Sequence, residues 1–101
     1  MYRIGLKGTV EEIKRRLHKT QIARAMVGTK AEKWKLLQHP CPLVRSGVAM
    51  TGDTDMQWQL LDDSDVGVRS TLAIWGSKII KDMLLENDDE CEVVKAFARI
   101  N

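Results

Sequence analysis

The chain has 101 residues, a length that supports one domain with a modest core. With 44% apolar and 30% charged residues it is too apolar for an intrinsically disordered protein. No stretch approaches the roughly 20 apolar residues that span a bilayer, and the opening MYRIGLKGTVEEIKRRL lacks the apolar core and cleavage site of a secretory signal. A cytoplasmic protein without membrane attachment is therefore expected. The net charge of +2 hides a polarity. Residues 1–45 hold eleven Lys/Arg against three Asp/Glu, or +8, and residues 46–101 hold five against eleven, or −6. Such asymmetry points to partners rather than to fold.

In chain order, helices are expected over about 10–18, 20–27, 30–38, 42–51, 54–62, 66–75, 78–86 and 91–100, from apolar residues at helical spacing. Trp34 with Leu37, Val44 with Val48, Trp58 with Leu61, Val68 with Leu72 and Val94 with Ala98 each mark one face. The breakers between them recur. Gly28, Gly52 and Gly76 stand 24 residues apart, each followed by an N-cap residue: Thr29, Asp53 and Ser77. Glycine there is expected to end its helix in the left-handed conformation. Thr29 with Glu32 reads as a capping box, and so does Thr9 with Glu12. The second breakers are His39-Pro40-Cys41-Pro42, Asp62-Asp63-Ser64-Asp65 and Asn87-Asp88-Asp89-Glu90.

The same 24-residue shift superposes Ala25, Ala49 and Ala73; Leu36, Leu60 and Leu84; Ile13, Leu37, Leu61 and Leu85; Trp34 and Trp58; and Val44-Arg45 with Val68-Arg69. So many coincidences in one register define an internal repeat of helix, turn and shorter helix. Helices of eight to ten residues are marginal alone in water, so the units are expected to stack as an all-α helical solenoid. The units fall at about 12–35, 36–59, 60–83 and 84–101, in a single domain. Cys41 and Cys91 then lie two units apart, on the order of 20 Å with helix layers about 8–10 Å thick, so two free thiols are expected.

The strings LLQHPCPLVRSGVAMTG (36–52) and LLDDSDVGVRSTLAIWG (60–76), with weaker echoes over 12–28 and 84–100, resemble HEAT-type repeats. Their short period is closer to the leucine-rich repeat variant, which alternates α and short 3₁₀-like helices. The chain departs from that variant in its Gly-Asp-Thr-Asp and Gly-Ser-Lys segments and in having no N-terminal cysteine cluster for an iron–sulfur centre. The resemblance implies a binding surface, no cofactor, and arginines at 45 and 69 that pair with turn carboxylates such as Asp62, Asp63 or Asp65.

Trp34 and Trp58 are read as core because of their leucine partners, and Trp75, where the repeat otherwise holds Val27 and Thr51, as a candidate surface anchor. The set Lys14, Arg15, Arg16, His18, Lys19, Arg24, Lys30, Lys33 and Lys35 is either a solvated face or a surface for an anionic partner. Its i,i+4 pairs of like sign, Lys14 with His18 and Arg15 with Lys19, oppose helix stability. Asp62, Asp63, Asp65, Asp88, Asp89, Glu90 and Glu92 have no EF-hand spacing and are read as helix-start charges. No nucleophile stands at recognisable spacing from His18 or His39, which the register places far apart, and no basic residue marks Cys41 as reactive.

The expectation is a non-enzymatic module that binds another protein through a charged repeat surface. It would be an adaptor or a blocking protein of the kind phages and mobile elements direct against host machinery. Binding would use Lys14, Arg15, His18, Lys19, Arg24, Lys30, Lys33 and Trp75. The alternative is nucleic-acid binding by the basic half. Salt-sensitive head-to-tail self-association is a third arrangement the charge polarity allows.

Overall fold

The computed structural model describes the backbone of residues 4–100 and the side chains of Glu12 and of residues 15–100. Among these residues there are seven α-helices and no strand. They are α1 (Ile4–Val27), α2 (Lys30–Leu36), α3 (Pro42–Thr51), α4 (Thr54–Gln59), α5 (Val66–Trp75), α6 (Lys78–Glu86) and α7 (Glu92–Ile100). All-α architecture is as expected.

The first two expected helices are one. α1 runs unbroken through residues 18–20, where neither glycine nor proline interrupts it and where the Thr20 hydroxyl donates back to the Arg16 carbonyl at 2.8 Å. Thr9 consequently lies inside α1, and no helix starts there. α2 and α4 end two to three residues earlier than the expected 38 and 62. Their last turns tighten into i→i−3 bonds, Leu37 N–H to the Trp34 carbonyl and Leu61 N–H to the Trp58 carbonyl.

The starts of α2, α4 and α6 are 24 residues apart, at Lys30, Thr54 and Lys78. Thr29 caps α2 in a full capping box with Glu32, and Asp53 caps α4 by accepting the Met56 N–H at 3.0 Å. Ser77 departs from expectation. Its side chain makes no cap bond and its hydroxyl is buried without a partner, while its backbone N–H donates to Gln57 Oε1 at 3.1 Å.

The glycines before these caps are not left-handed: no described glycine has positive φ, and Gly52 and Gly76 have φ of −73° and −67°. Their requirement is space. A Cβ would stand 2.4 Å from the Arg24 carbonyl oxygen at Gly28, 2.7 Å from that of Val48 at Gly52 and 2.4 Å from that of Leu72 at Gly76. Gly52 and Gly76 leave their helices in an extended conformation, and each of the three N–H groups still bonds that same carbonyl, so no side chain fits.

α1, α3, α5 and α7 pack in succession as one layer, while α2, α4 and α6 lie against it, with α4 also against α6. The molecule measures 57 × 26 × 20 Å with a radius of gyration of 16.2 Å, against about 13 Å for a compact domain of this length. The repeat residues supply the core: Ala25, Ala49, Ala73; Val44, Val68, Val94; and Leu36, Leu60, Leu84 are all buried. Small residues let successive helices of the layer approach closely, and a Cβ on Gly47 would come within 2.8 Å of the Ala25 Cβ.

Two arginines each bridge a helix to a later turn of the chain. Arg45 donates from Nε and Nη2 to the two Asp63 carboxylate oxygens at 2.7 and 3.0 Å, and from Nη1 to the His39 carbonyl at 2.7 Å. The Asp63 carboxylate holds the guanidinium pKa above its ordinary value. Arg69 repeats the pattern, with Nε on both Glu90 oxygens at 2.9 and 3.1 Å and Nη1 on the Asp63 carbonyl at 2.6 Å. Both arginines therefore serve the expected turn-carboxylate role, each with an acid of the following turn.

Candidate functional site

α2 and α4 have seven and six residues, so each buries one narrow stripe and exposes the rest. Leu36 and Leu37 fill the stripe of α2, and Met56 and Leu60 that of α4. Trp34 and Trp58 lie at its edge. They are 38% and 46% exposed, which corrects their reading as core. Each ring borders a recess open to solvent. Trp34, Leu37 and Gln59 line one between α2 and α4, of about 310 Å³. Trp58, Leu61 and Met83 line the next between α4 and α6, of about 490 Å³. Each has room for an inserted side chain. Lys35 borders the first recess, and Asp62 and Glu86 border the second. The face thus carries the charge polarity of the sequence across two aromatic steps.

Trp75 is 57% exposed at the end of α5, as a surface anchor requires. It lines neither recess.

Several of the described basic residues have partners of their own. Lys30 pairs with Asp53 at 3.3 Å and Arg24 with Glu32 at 3.8 Å, both on the surface. The Lys33 ammonium donates to the Thr51 carbonyl at 3.2 Å, satisfying the end of α3. Arg15, Arg16 and Lys19 are exposed on α1, and Lys14 lies outside the described side chains. Glu32 has its carboxylate pKa lowered, first by the Thr29 N–H it accepts, and Asp53 likewise by the Met56 N–H.

His18 goes elsewhere. Its Nε2 lies 2.8 Å from Cys41 Sγ, although 23 residues separate them, and the Cys41 N–H donates to His39 Nδ1 at 3.0 Å. Both histidines therefore converge on Cys41, where the sequence spacing placed them apart. Local motifs gave no sign of it, and only the near-24 separation of His18 and Cys41 could have. Cys41 and Cys91 are both free thiols. Asp65 caps α5 locally through the Val68 N–H, Asp63 and Glu90 hold arginines distant in sequence, and no metal-binding group of three ligands occurs among the described residues.

No helix among the described residues is long and apolar enough to cross a membrane. Comparison with protein-family models, with curated proteins and with solved structures finds no match to this chain.

Proposed function

We propose that the chain is a short helical-repeat solenoid that acts as a non-enzymatic binding module, and that it takes an extended polypeptide segment across the face of α2, α4 and α6. The observation that carries this reading is the pair Trp34 and Trp58, one repeat apart, each exposed beside a recess. Half-exposed aromatic rings next to pockets supply most of the energy at protein interfaces at little entropic cost. Neighbouring helices lie about 8–10 Å apart and an extended chain rises about 3.1–3.4 Å per residue, so apolar anchors three residues apart match the two recesses. Lys35 at one recess and Asp62 with Glu86 at the other favour acidic residues at one end of the segment and basic residues at the other.

The test is fluorescence anisotropy with a labelled nonapeptide that has leucines three residues apart, two glutamates at one end and two lysines at the other. Binding is expected, with affinity falling at least about tenfold in Trp34→Ala/Trp58→Ala. Equal binding by the variant overturns the reading. The same titration with short duplex and single-stranded DNA tests the exposed Arg15, Arg16 and Lys19. Tight, steeply salt-dependent DNA binding with no peptide binding replaces the polypeptide by a nucleic acid.

A further inference from the structure

Cys41 is the N-cap of the ten-residue helix α3, with extended backbone (φ −85°, ψ 121°) and no side-chain cap bond. Two features meet at its sulfur. The His18 imidazole on α1 touches it through Nε2 at 2.8 Å. The positive end of the α3 dipole lies beneath it. One turn along, the Arg45 backbone N–H donates to the Cys41 carbonyl at 3.3 Å, and its guanidinium lies on the same turn. That guanidinium is fixed by Asp63 and by the His39 and Pro40 carbonyls. His39 holds the Cys41 backbone through Nδ1, so its role is positional. The thiol and the His18 ring are both only partly buried, so small reagents reach them.

We propose that Cys41 and His18 form a nucleophile–base pair, and that Cys41 is a site of mixed-disulfide formation with small-molecule disulfides. His18 Nε2 takes the proton from Sγ. The thiolate attacks one sulfur of the disulfide, the new Cys41 Sγ–S bond forms as the S–S bond breaks, and the leaving thiolate takes the proton from the imidazolium and departs as a thiol. The disulfide is the only oxidant consumed.

Cys91 is an internal control. It too stands just before a helix, α7, and is partly buried, but its N–H donates to the Glu90 carboxylate at 2.8 Å, and both histidines of the chain are at Cys41. The full chain is treated with excess glutathione disulfide at neutral pH, quenched with acid and mapped by mass spectrometry. Cys41 is expected to be modified at least about tenfold faster than Cys91, because thiolate formation controls the attack. In His18→Gln, shown to be folded by circular dichroism, the Cys41 rate should fall to within about threefold of Cys91 while the Cys91 rate is unchanged. Equal rates at the two cysteines of the wild-type chain overturn the proposal whatever the variant does. So does a Cys41 rate that His18→Gln leaves intact.

Discussion

Replacing Arg69 by methionine strands a carboxylate. The Glu90 side chain is 1% exposed, its oxygens receive the Arg69 Nε at 2.9 and 3.1 Å, and its remaining described donor is the Cys91 N–H. Breaking a buried ion pair from one side costs about 3–5 kcal/mol. The partly exposed Arg69 puts this case near the lower end, with about 1 kcal/mol more for the Asp63 carbonyl that loses its donor. Against a total stability of about 5–15 kcal/mol, the loss is a large fraction. Urea denaturation followed by far-ultraviolet circular dichroism measures it. Arg69→Met/Glu90→Met should recover most of the loss, because no unpaired charge remains. In the single variant the amides of α7, a nine-residue helix tied to the rest partly by this pair, should exchange first. A cost below about 1 kcal/mol for Arg69→Met, the range of an exposed pair, refutes the argument. A double variant no better than the single one refutes it too.

Gly76→Ala should lower stability by about 1–3 kcal/mol by pressing a methyl onto the Leu72 carbonyl and Ile80, and a thermal melt unchanged from wild type would remove the steric account. Gln57→Leu, which leaves the buried Ala49 carbonyl and Ser77 N–H without their amide partner, should cost about 1–3 kcal/mol by the same melt. Asp53 has its pKa lowered by the Met56 N–H and then by Lys30, from an ordinary 3.8. Its stabilisation is therefore complete above the unfolded value and disappears as pH falls through the lower folded one. Urea midpoints between about pH 5 and pH 2 should fall more steeply for wild type than for Asp53→Asn, and parallel curves would exclude the charge as the source.

What was legible in the sequence was what local chemistry decides. Thr29 and Asp53 cap the helices their positions announce because an N-cap needs only its own next turn. Gly28, Gly52 and Gly76 mark true helix ends, yet for a different reason from the one their residue type suggests. The approach of the i−4 carbonyl is a property of the whole turn. Trp34 and Trp58 depart from the core reading because spacing from Leu37 and Leu61 identifies a face but not its width. In helices of six or seven residues the leucines and Met56 fill the buried stripe, and the rings remain at its border. The period alone suggests a division of α1 at 18–20, and no glycine or proline is there to enforce it.

The Cys41–His18 contact has no local motif to announce it, because it joins residues about one sequence period apart. Several contacts of the fold join residues 23 to 26 apart. Lys30 meets Asp53 at 23, Thr51 reaches the Ala25 carbonyl at 26, and His18 meets Cys41 at 23. The rule can be run forward. Cys91 stands before α7 as Cys41 stands before α3, and the position two periods beyond His18 is Val66, at the start of α5 and 47% exposed. α5 packs against α7 as α1 packs against α3. Val66→His should therefore bring an imidazole to Cys91 and raise its rate with glutathione disulfide at least several-fold, roughly toward that of Cys41, with little cost in stability at so exposed a position. If the Cys91 rate does not change in a folded Val66→His chain, the repeat does not carry the geometry of the first pair into the last. The His18 contact would then belong to the α1–α3 seam alone.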